Sequence, residues 1–370
     1  MLIPAAIDSF LSRGGHWDQV IAVHQTALTA ARRAGDRPGQ ARALLLLSDP
    51  QFRANQRAAA VAAAQQALAL FHDLGDRAGQ AWAVGRLGFL HWAAGDYDTA
   101  AACHHQALEL FRDLGNRQGQ AVSISDLGAV QQETGDYRAA AASRQQALEM
   151  CRDLDDRYGQ MTVLIGLGDV QTLTGDYPGA TASYQQAQAL ARDLDDRYQQ
   201  AWTLNQLGVL HRLGGDHRTA AASHQKALET LREIGEAAAQ GYCHDNLGLA
   251  QQLTGDYQAA ASHQQPLRLM RDGGEPYAQA CVLNSLGELA SRTSATGPAR
   301  HHHNQALAIA RQIGAPLQEA RALEGIGHSH LQDSNPREAA ACLWQAHAIY
   351  QRIGSPAARR VEEALRQHGL

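Results

Sequence analysis

The sequence predicts an all-α superhelix of about nine helical hairpins with a C-terminal capping helix. Three repeating registers predict it, and they agree with one another. The tripeptide Gly-Asp-Tyr begins at Gly95, Gly135, Gly175 and Gly255, with Gly-Asp-His at Gly215. A leucine–glycine pair runs Leu87-Gly88, Leu127-Gly128, Leu167-Gly168, Leu207-Gly208 and Leu247-Gly248, then Leu286-Gly287 and Ile326-Gly327. An alanine–leucine pair recurs at Ala27, Ala67, Ala107, Ala147, Ala227 and Ala306. The step is 40 residues or its double, apart from one residue lost between Leu247 and Leu286.

The array is expected over 1–353, in units near 1–35, 36–75, 76–115, 116–155, 156–195, 196–235, 236–274, 275–314 and 315–353. Each unit reads as two helices. In the third they are expected at 77–94 and 97–114, with Gly95-Asp96 as the turn. Glycine there tolerates a left-handed backbone, and aspartate caps the helix that follows. Ala100, Cys103, Ala107, Leu110 and Phe111 give the second helix its apolar stripe. Three units depart from the pattern. In unit two, Leu47-Ser48 is followed by Asp49-Pro50, which should stop the first helix early. Unit seven places Pro266 where other units have alanine, and a bend or hinge is expected near 256–276. Unit eight has Ser294-Ala295-Thr296-Gly297-Pro298 in place of Gly-Asp-Tyr. Such faults stay local, because each repeat is held by its neighbours alone. The polar segment 354–370 is expected to form the cap.

Composition excludes several classes. Of the 370 residues, 32 are Lys or Arg and 37 are Asp or Glu, a net charge of −5. That balance argues against direct nucleic-acid binding, which needs a basic face. No apolar run is long enough to cross a membrane, and the N-terminus lacks the pattern of a secretory signal. The five cysteines lie far apart with no CxxC pair, which fits a reducing cytoplasm better than a zinc site or a disulfide framework. A cytoplasmic location is therefore expected. No GxSxG, HExxH, Walker A or Gly-rich dinucleotide motif is present, so neither an enzyme nor a cofactor is expected.

The repeat resembles the tetratricopeptide repeat (TPR). That unit carries Leu-Gly in its first helix, a small residue twelve positions after the glycine and another at nineteen. Here these are Leu127, Gly128, Ala140 and Ala147, then Leu167, Gly168, Ala180 and Ala187, then Leu207, Gly208, Ala220 and Ala227. The usual tyrosine of the first helix is replaced by Gln131, Gln171 and His211, the closing proline is absent, and the 40-residue period exceeds the common 34. Long repeats of this kind are similar to Pins/LGN-type adaptors and to the TPR tails of actinobacterial STAND regulators. The resemblance covers about residues 1–353 and implies a right-handed α-solenoid whose first helices line a concave groove.

That resemblance selects groove residues unit by unit. Unit three offers Trp82, Arg86, Phe89 and Trp92, and unit four Ser125, Asp126, Gln132 and Glu133. Unit five offers Ile165, Asp169 and Thr172, and unit six Trp202, Asn205, Gln206 and Arg212. Unit seven offers Tyr242, Asp245, Asn246 and Gln252, and unit eight Asn284, Ser285, Glu288 and Arg292. These positions vary while the packing positions repeat, as expected of a surface that reads one ligand. Asn205, Asn246 and Asn284 suggest a ladder of amides for the backbone of an extended peptide. Solvated polar faces are the plainer reading. Trp82, Phe89 and Trp92 suggest an apolar anchor, or simple packing against unit two.

His104, His224 and His263 fall near equivalent places on second helices, where duplication explains their spacing. On an outer helix they should be solvated or partly packed. The run His301-His302-His303 is not a ready chelate, so no metal is expected. Arg77, Arg117, Arg157 and Arg197 recur in step with Asp113, Asp153 and Asp193 and read as ion pairs between repeats. The function expected is a scaffold that binds a protein or extended peptide in the groove. A regulatory tail of a STAND-type protein, a small-molecule or catalytic groove, and self-association through open repeat ends are the alternatives.

Overall fold

The computed structural model describes residues 17–54, 56–254, 276–292 and 295–370. Among them the chain forms seventeen helices and no strand. They are α1 (Trp17–Arg33), α2 (Arg37–Arg53), α3 (Arg57–Asp73), α4 (Arg77–Ala93), α5 (Tyr97–Asp113) and α6 (Arg117–Glu133). Then come α7 (Tyr137–Asp153), α8 (Arg157–Thr174), α9 (Tyr177–Asp193), α10 (Arg197–Leu213), α11 (His217–Glu233) and α12 (Ala237–Leu253). The last are α13 (Pro276–Arg292), α14 (Thr296–Gln312), α15 (Pro316–Gln332), α16 (Pro336–Arg352) and the capping helix α17 (Ala357–Gln367). Successive helices pack as hairpins, and hairpins stack on one another. The expected hinge at 256–276 lies almost wholly outside the described residues, as do His263 and Pro266.

Capping sets the helix starts. Asp76, Asp96, Asn116, Asp136, Asp156, Asp176, Asp196 and Asp216 each accept the backbone N–H three residues on, at 2.8–3.2 Å. Each such cap contributes about 1 kcal/mol. In the altered unit eight, Ala295 stands at the cap of α14 and offers no side-chain bond. The turns need a left-handed residue before the cap. Glycine usually supplies it, but Asp155 (φ 52°) and Asp195 (φ 54°) do so with a Cβ. Unit two corrects an expectation: α2 continues through Pro50 to Arg53. Pro50 gives up the N–H bond to the carbonyl four residues back, and the helix ends three residues later at Arg53.

Two repeated bonds hold the array. Gln80, Gln120, Gln160, Gln200 and Gln240 donate through Nε2 to the carbonyl nine residues back, at 3.2–3.4 Å. Each ties the first helix of a unit to the second helix of the unit before. The arginine–aspartate pairs do the other job. Arg77–Asp113 (2.8 Å), Arg117–Asp153 (3.3 Å), Arg157–Asp193 (2.5 Å) and Arg197–Glu233 all close the open end of one hairpin. They lie within repeats and not between them, because antiparallel helices bring the start of one beside the end of the other. All are well exposed, and such pairs contribute about 0–1 kcal/mol each.

The superhelix closes on itself. Tyr137, Ala140 and Val170 of units four and five share a core with Leu323, Leu343, Tyr350, Ile353 and Val361 near the chain's end. A Cβ on Gly95 would sit 2.7 Å from Ile313, and Pro356 comes within 3.5 Å of the same point on Gly175. Among the described residues the inner helices therefore face a channel whose turns touch along this seam.

Candidate functional site

A column of polar side chains runs through the wall of this channel. Sixteen residues after the repeat glycine, the second helix carries His104, Arg144, Tyr184, His224 and His303. Each lies over the glycine of its own unit: a Cβ would stand 2.8 Å from His104 at Gly88, 2.6 Å from Tyr184 at Gly168 and 2.7 Å from His224 at Gly208. The glycines thus admit a large side chain from the outer helix to the inner face. In unit two, Ser48 replaces glycine, and the residue at the matching place is the small, fully buried Ala64.

The histidines are not solvated, contrary to expectation. His104, His224 and His303 are at most 1% exposed. Burial, with nearby positive charge in each case, pulls their pKa down to about 4, about 3 and about 4. They are neutral in the fold. His224 Nδ1 meets Asn205 Oδ1 at 2.7 Å, and His303 Nδ1 meets Asn284 Oδ1 at 3.1 Å. Asn205 and Asn284 are 0% exposed, and their amides bind these histidines inside the wall. Asn246 Nδ2 donates to Asn205 Oδ1 at 3.4 Å. Asn284 bonds to Gln318 and His303 and not to Asn246, so the three asparagines form no continuous ladder, and the amides of Asn205 and Asn284 are occupied by the protein's own groups. A groove contact from Asn205 or Asn284 would require these bonds to break.

Other expected groove residues gather at two cavities. The first, about 610 Å³, is walled by Leu46, Trp82, Arg86, Phe89, Val122 and Asp126. Leu46, Trp82 and Val122 are 54%, 37% and 40% exposed, so apolar surface faces the cavity. Trp82 packs edge-on to Phe111 at 4.8 Å, and Phe89 to Phe52 at 5.1 Å. Arg86 is fixed: it donates to the Ser48 hydroxyl and carbonyl at 3.1 Å, pairs with Asp49 at 3.0 Å and lies over Phe89. Trp92 packs on Tyr97, Ala100 and Val130, with its ring centroid 5.8 Å from that of Phe89. Among the described residues Asp126 has only the neutral His104 as an ion-pairing neighbour, at 3.6 Å. Burial lifts its pKa to about 6 against the pull of Arg144.

Deeper in the channel, Asp126, Glu133 and Asp169 surround Arg144. Burial and the charge of Asp169 push Glu133 up to about 8, so it holds a proton at neutral pH. Asp169 accepts from Tyr184 and from Gln206, both at 2.7 Å. Ser125 accepts from Arg144 at 3.4 Å, while Arg144 Nε is buried without a hydrogen-bond partner. Trp202 packs between Tyr198 and Tyr242, with ring centroids 6.5 and 5.7 Å away. Arg144 was not a groove candidate, because it belongs to an outer helix. A signal was present in the sequence: Gly166-Leu167-Gly168 and Gly325-Ile326-Gly327 carry an extra glycine. A Cβ at Gly166 would collide with Arg144, and one at Gly325 with His303.

The second cavity, about 910 Å³, brings together Arg212, Tyr242, Asp245, Asn246, Glu288 and Arg292. Arg321 and Arg360 from later units join them. Arg321 donates to Glu288 at 2.8 Å, and Arg360 grips Glu324 at 2.8 and 2.9 Å. Burial favours a protonated Glu288, but the Arg321 charge outweighs it and holds the carboxylate ionised. Asp245 accepts from Ser285 at 3.0 Å, and burial lifts its pKa to about 6. Among the described residues no group of three His, Cys, Asp or Glu is placed to hold a metal. No described helix is long and apolar enough to cross a membrane.

Stacked helical hairpins around a polar channel define an α-solenoid of the scaffold class. Residues 79–153 and 159–233 match the sequence model of the tetratricopeptide repeat. No curated protein matches it by sequence. Solved structures share its fold at low identity. A Rap protein complexed with Competence and Sporulation Factor is 12% identical at TM-score 0.69, over 95% of this chain and 98% of that one. The Rap conjugation gene regulator of plasmid pLS20, in complex with the Phr* peptide, is 12% identical at TM-score 0.60, over 97% and 98%. A STAND protein with a TPR sensor from Pyrococcus horikoshii is 13% identical at TM-score 0.50, over 84% of this chain and 52% of that one.

Proposed function

We propose that the channel binds an extended peptide, or an extended segment of a protein partner, and that this binding is the protein's work. One observation carries the reading. The positions that pack hairpins repeat from unit to unit, whereas the cavity walls are unit-specific and chemically mixed. The first cavity joins exposed apolar surface to Asp126, a carboxylate with no cationic partner within ion-pair distance among the described residues. Such a site suits an aromatic or aliphatic side chain next to a positive charge. The two Rap structures are complexes with a peptide or a factor, and they share this fold over nearly its whole length. A pre-formed channel limits the ordering cost of binding.

The test is a pull-down from source lysate with the wild-type chain and a Trp82→Ala/Asp126→Asn variant. The wild type should recover a partner that the variant loses while keeping its melting temperature. Equal recovery by both would remove the first cavity from the binding site. A regulatory role of the sensor-tail kind rests on the likeness to the STAND protein, of whose length this fold spans 52%. A longer reading frame encoding an ATPase module upstream would favour it.

A further inference from the structure

The second cavity contains a cation that pairs with no carboxylate among the described residues. Arg212 projects from α10 into the space bounded by α12, α13 and α15. Its Nε is buried and makes no hydrogen bond. Asp245 and Glu288 are near enough to favour its charged form, yet neither reaches ion-pair distance. Both are engaged elsewhere, Asp245 by Ser285 and Glu288 by Arg321. Arg292 is exposed at the rim of the same cavity, with no ion pair among the described residues. Arg321 and Arg360 are each matched by a carboxylate. With Glu288 engaged by Arg321, Asp245 is the carboxylate left for both Arg212 and Arg292, so among the described residues the cavity keeps about one unmatched positive charge.

A partly buried guanidinium with no ion pair among the described residues opposes folding. Its presence in a cavity of about 910 Å³ is explained if a ligand completes it. One surplus charge beside three carboxylates suits a monoanion better than a dianionic phosphate. A guanidinium offers the flat, two-point donor face that a carboxylate accepts. We propose that Arg212, assisted by Arg292, is a subsite for a carboxylate of the bound peptide, either its C-terminus or an acidic side chain. This rests on the peptide reading above. It also gives the ligand a direction, with its positive group toward Asp126 and its negative group toward Arg212.

The experiment uses the immobilised full chain and three randomised pentapeptide pools. One lacks Asp and Glu and ends in a free carboxylate, one lacks Asp and Glu and is amidated, and one is amidated with Asp and Glu allowed. Retained peptide is measured by mass spectrometry. At least one carboxylate-bearing pool should be retained about tenfold or more over the acid-free amidated pool. The pool retained identifies the source of the carboxylate. Arg212→Gln should erase the preference and leave the melting temperature unchanged or higher. If that variant does not fold, Arg292→Gln carries the test and should weaken the preference in part. Equal retention of all three pools, or a preference that survives the substitution, overturns the subsite alone. Retention of no pool overturns both the subsite and the peptide reading.

Discussion

At the scale of the residue, burial decides what the titratable groups do. His224 is neutral in the fold, with a pKa of about 3 against an unfolded value of about 6.5. The unfolded chain therefore binds the extra proton, and stability falls as pH drops from about 6.5 toward 3. His224→Asn removes this term. Between those limits the wild type should lose stability faster than the variant, by up to about 1.4 kcal/mol per pH unit, as read from urea melts. Asp126 and Asp245 act in the opposite sense. Both are raised to about 6, so their contribution is full below about pH 4 and is lost as pH rises through 6. A second residue-scale prediction concerns the turn at Asp155, which holds a left-handed φ of 52° where equivalent turns use Gly75 and Gly115. Asp155→Gly should raise stability by roughly 0.5 kcal/mol, since the gain in relaxed backbone exceeds the entropy lost to glycine.

At the scale of the element, the helices were legible and the column behind them was not. Period, caps and turns are local features, so Gly95-Asp96 announced a helix boundary directly. Asn205 was misplaced because its position on an inner helix says nothing about what the outer helix sends through the wall. His224 and Arg144 lie 19 residues beyond Asn205 and Ser125, a distance at which sequence pairing is hidden until the hairpin is folded. The ion pairs were seen in sequence, but antiparallel packing was needed to place both partners in one unit. The extra glycine at Gly166 is the testable trace of the column. Gly166→Val should force Arg144 from its slot and cost about 1–3 kcal/mol in denaturant melts. Gly168→Ala should cost a similar amount, because its Cβ would stand 2.6 Å from the Tyr184 ring.

At the scale of the molecule, the closing seam turns a solenoid into a channel. Ile353 is 4% exposed and packs with Tyr137, Val170 and Val361 in one core. Ile353→Asp should break that seam, at a cost of about 3 kcal/mol or more for an unpaired buried charge. Repeats are stabilised by their neighbours, so the hairpins should persist. Solution scattering should then show a larger radius of gyration with helicity retained. An unchanged radius would mean that the ends do not hold each other. The same closure makes the inner face the place where a ligand is most fully surrounded. The direct test is site-specific photocrosslinking in source lysate, with benzoylphenylalanine at Val122 inside the first cavity or at Trp344 on α16. Both positions are open to solvent, at 40% and 50% exposure. Adducts at Val122 and none at Trp344 are expected if the channel is the binding site. Adducts at Trp344 alone would contradict it and move binding to the outer helices.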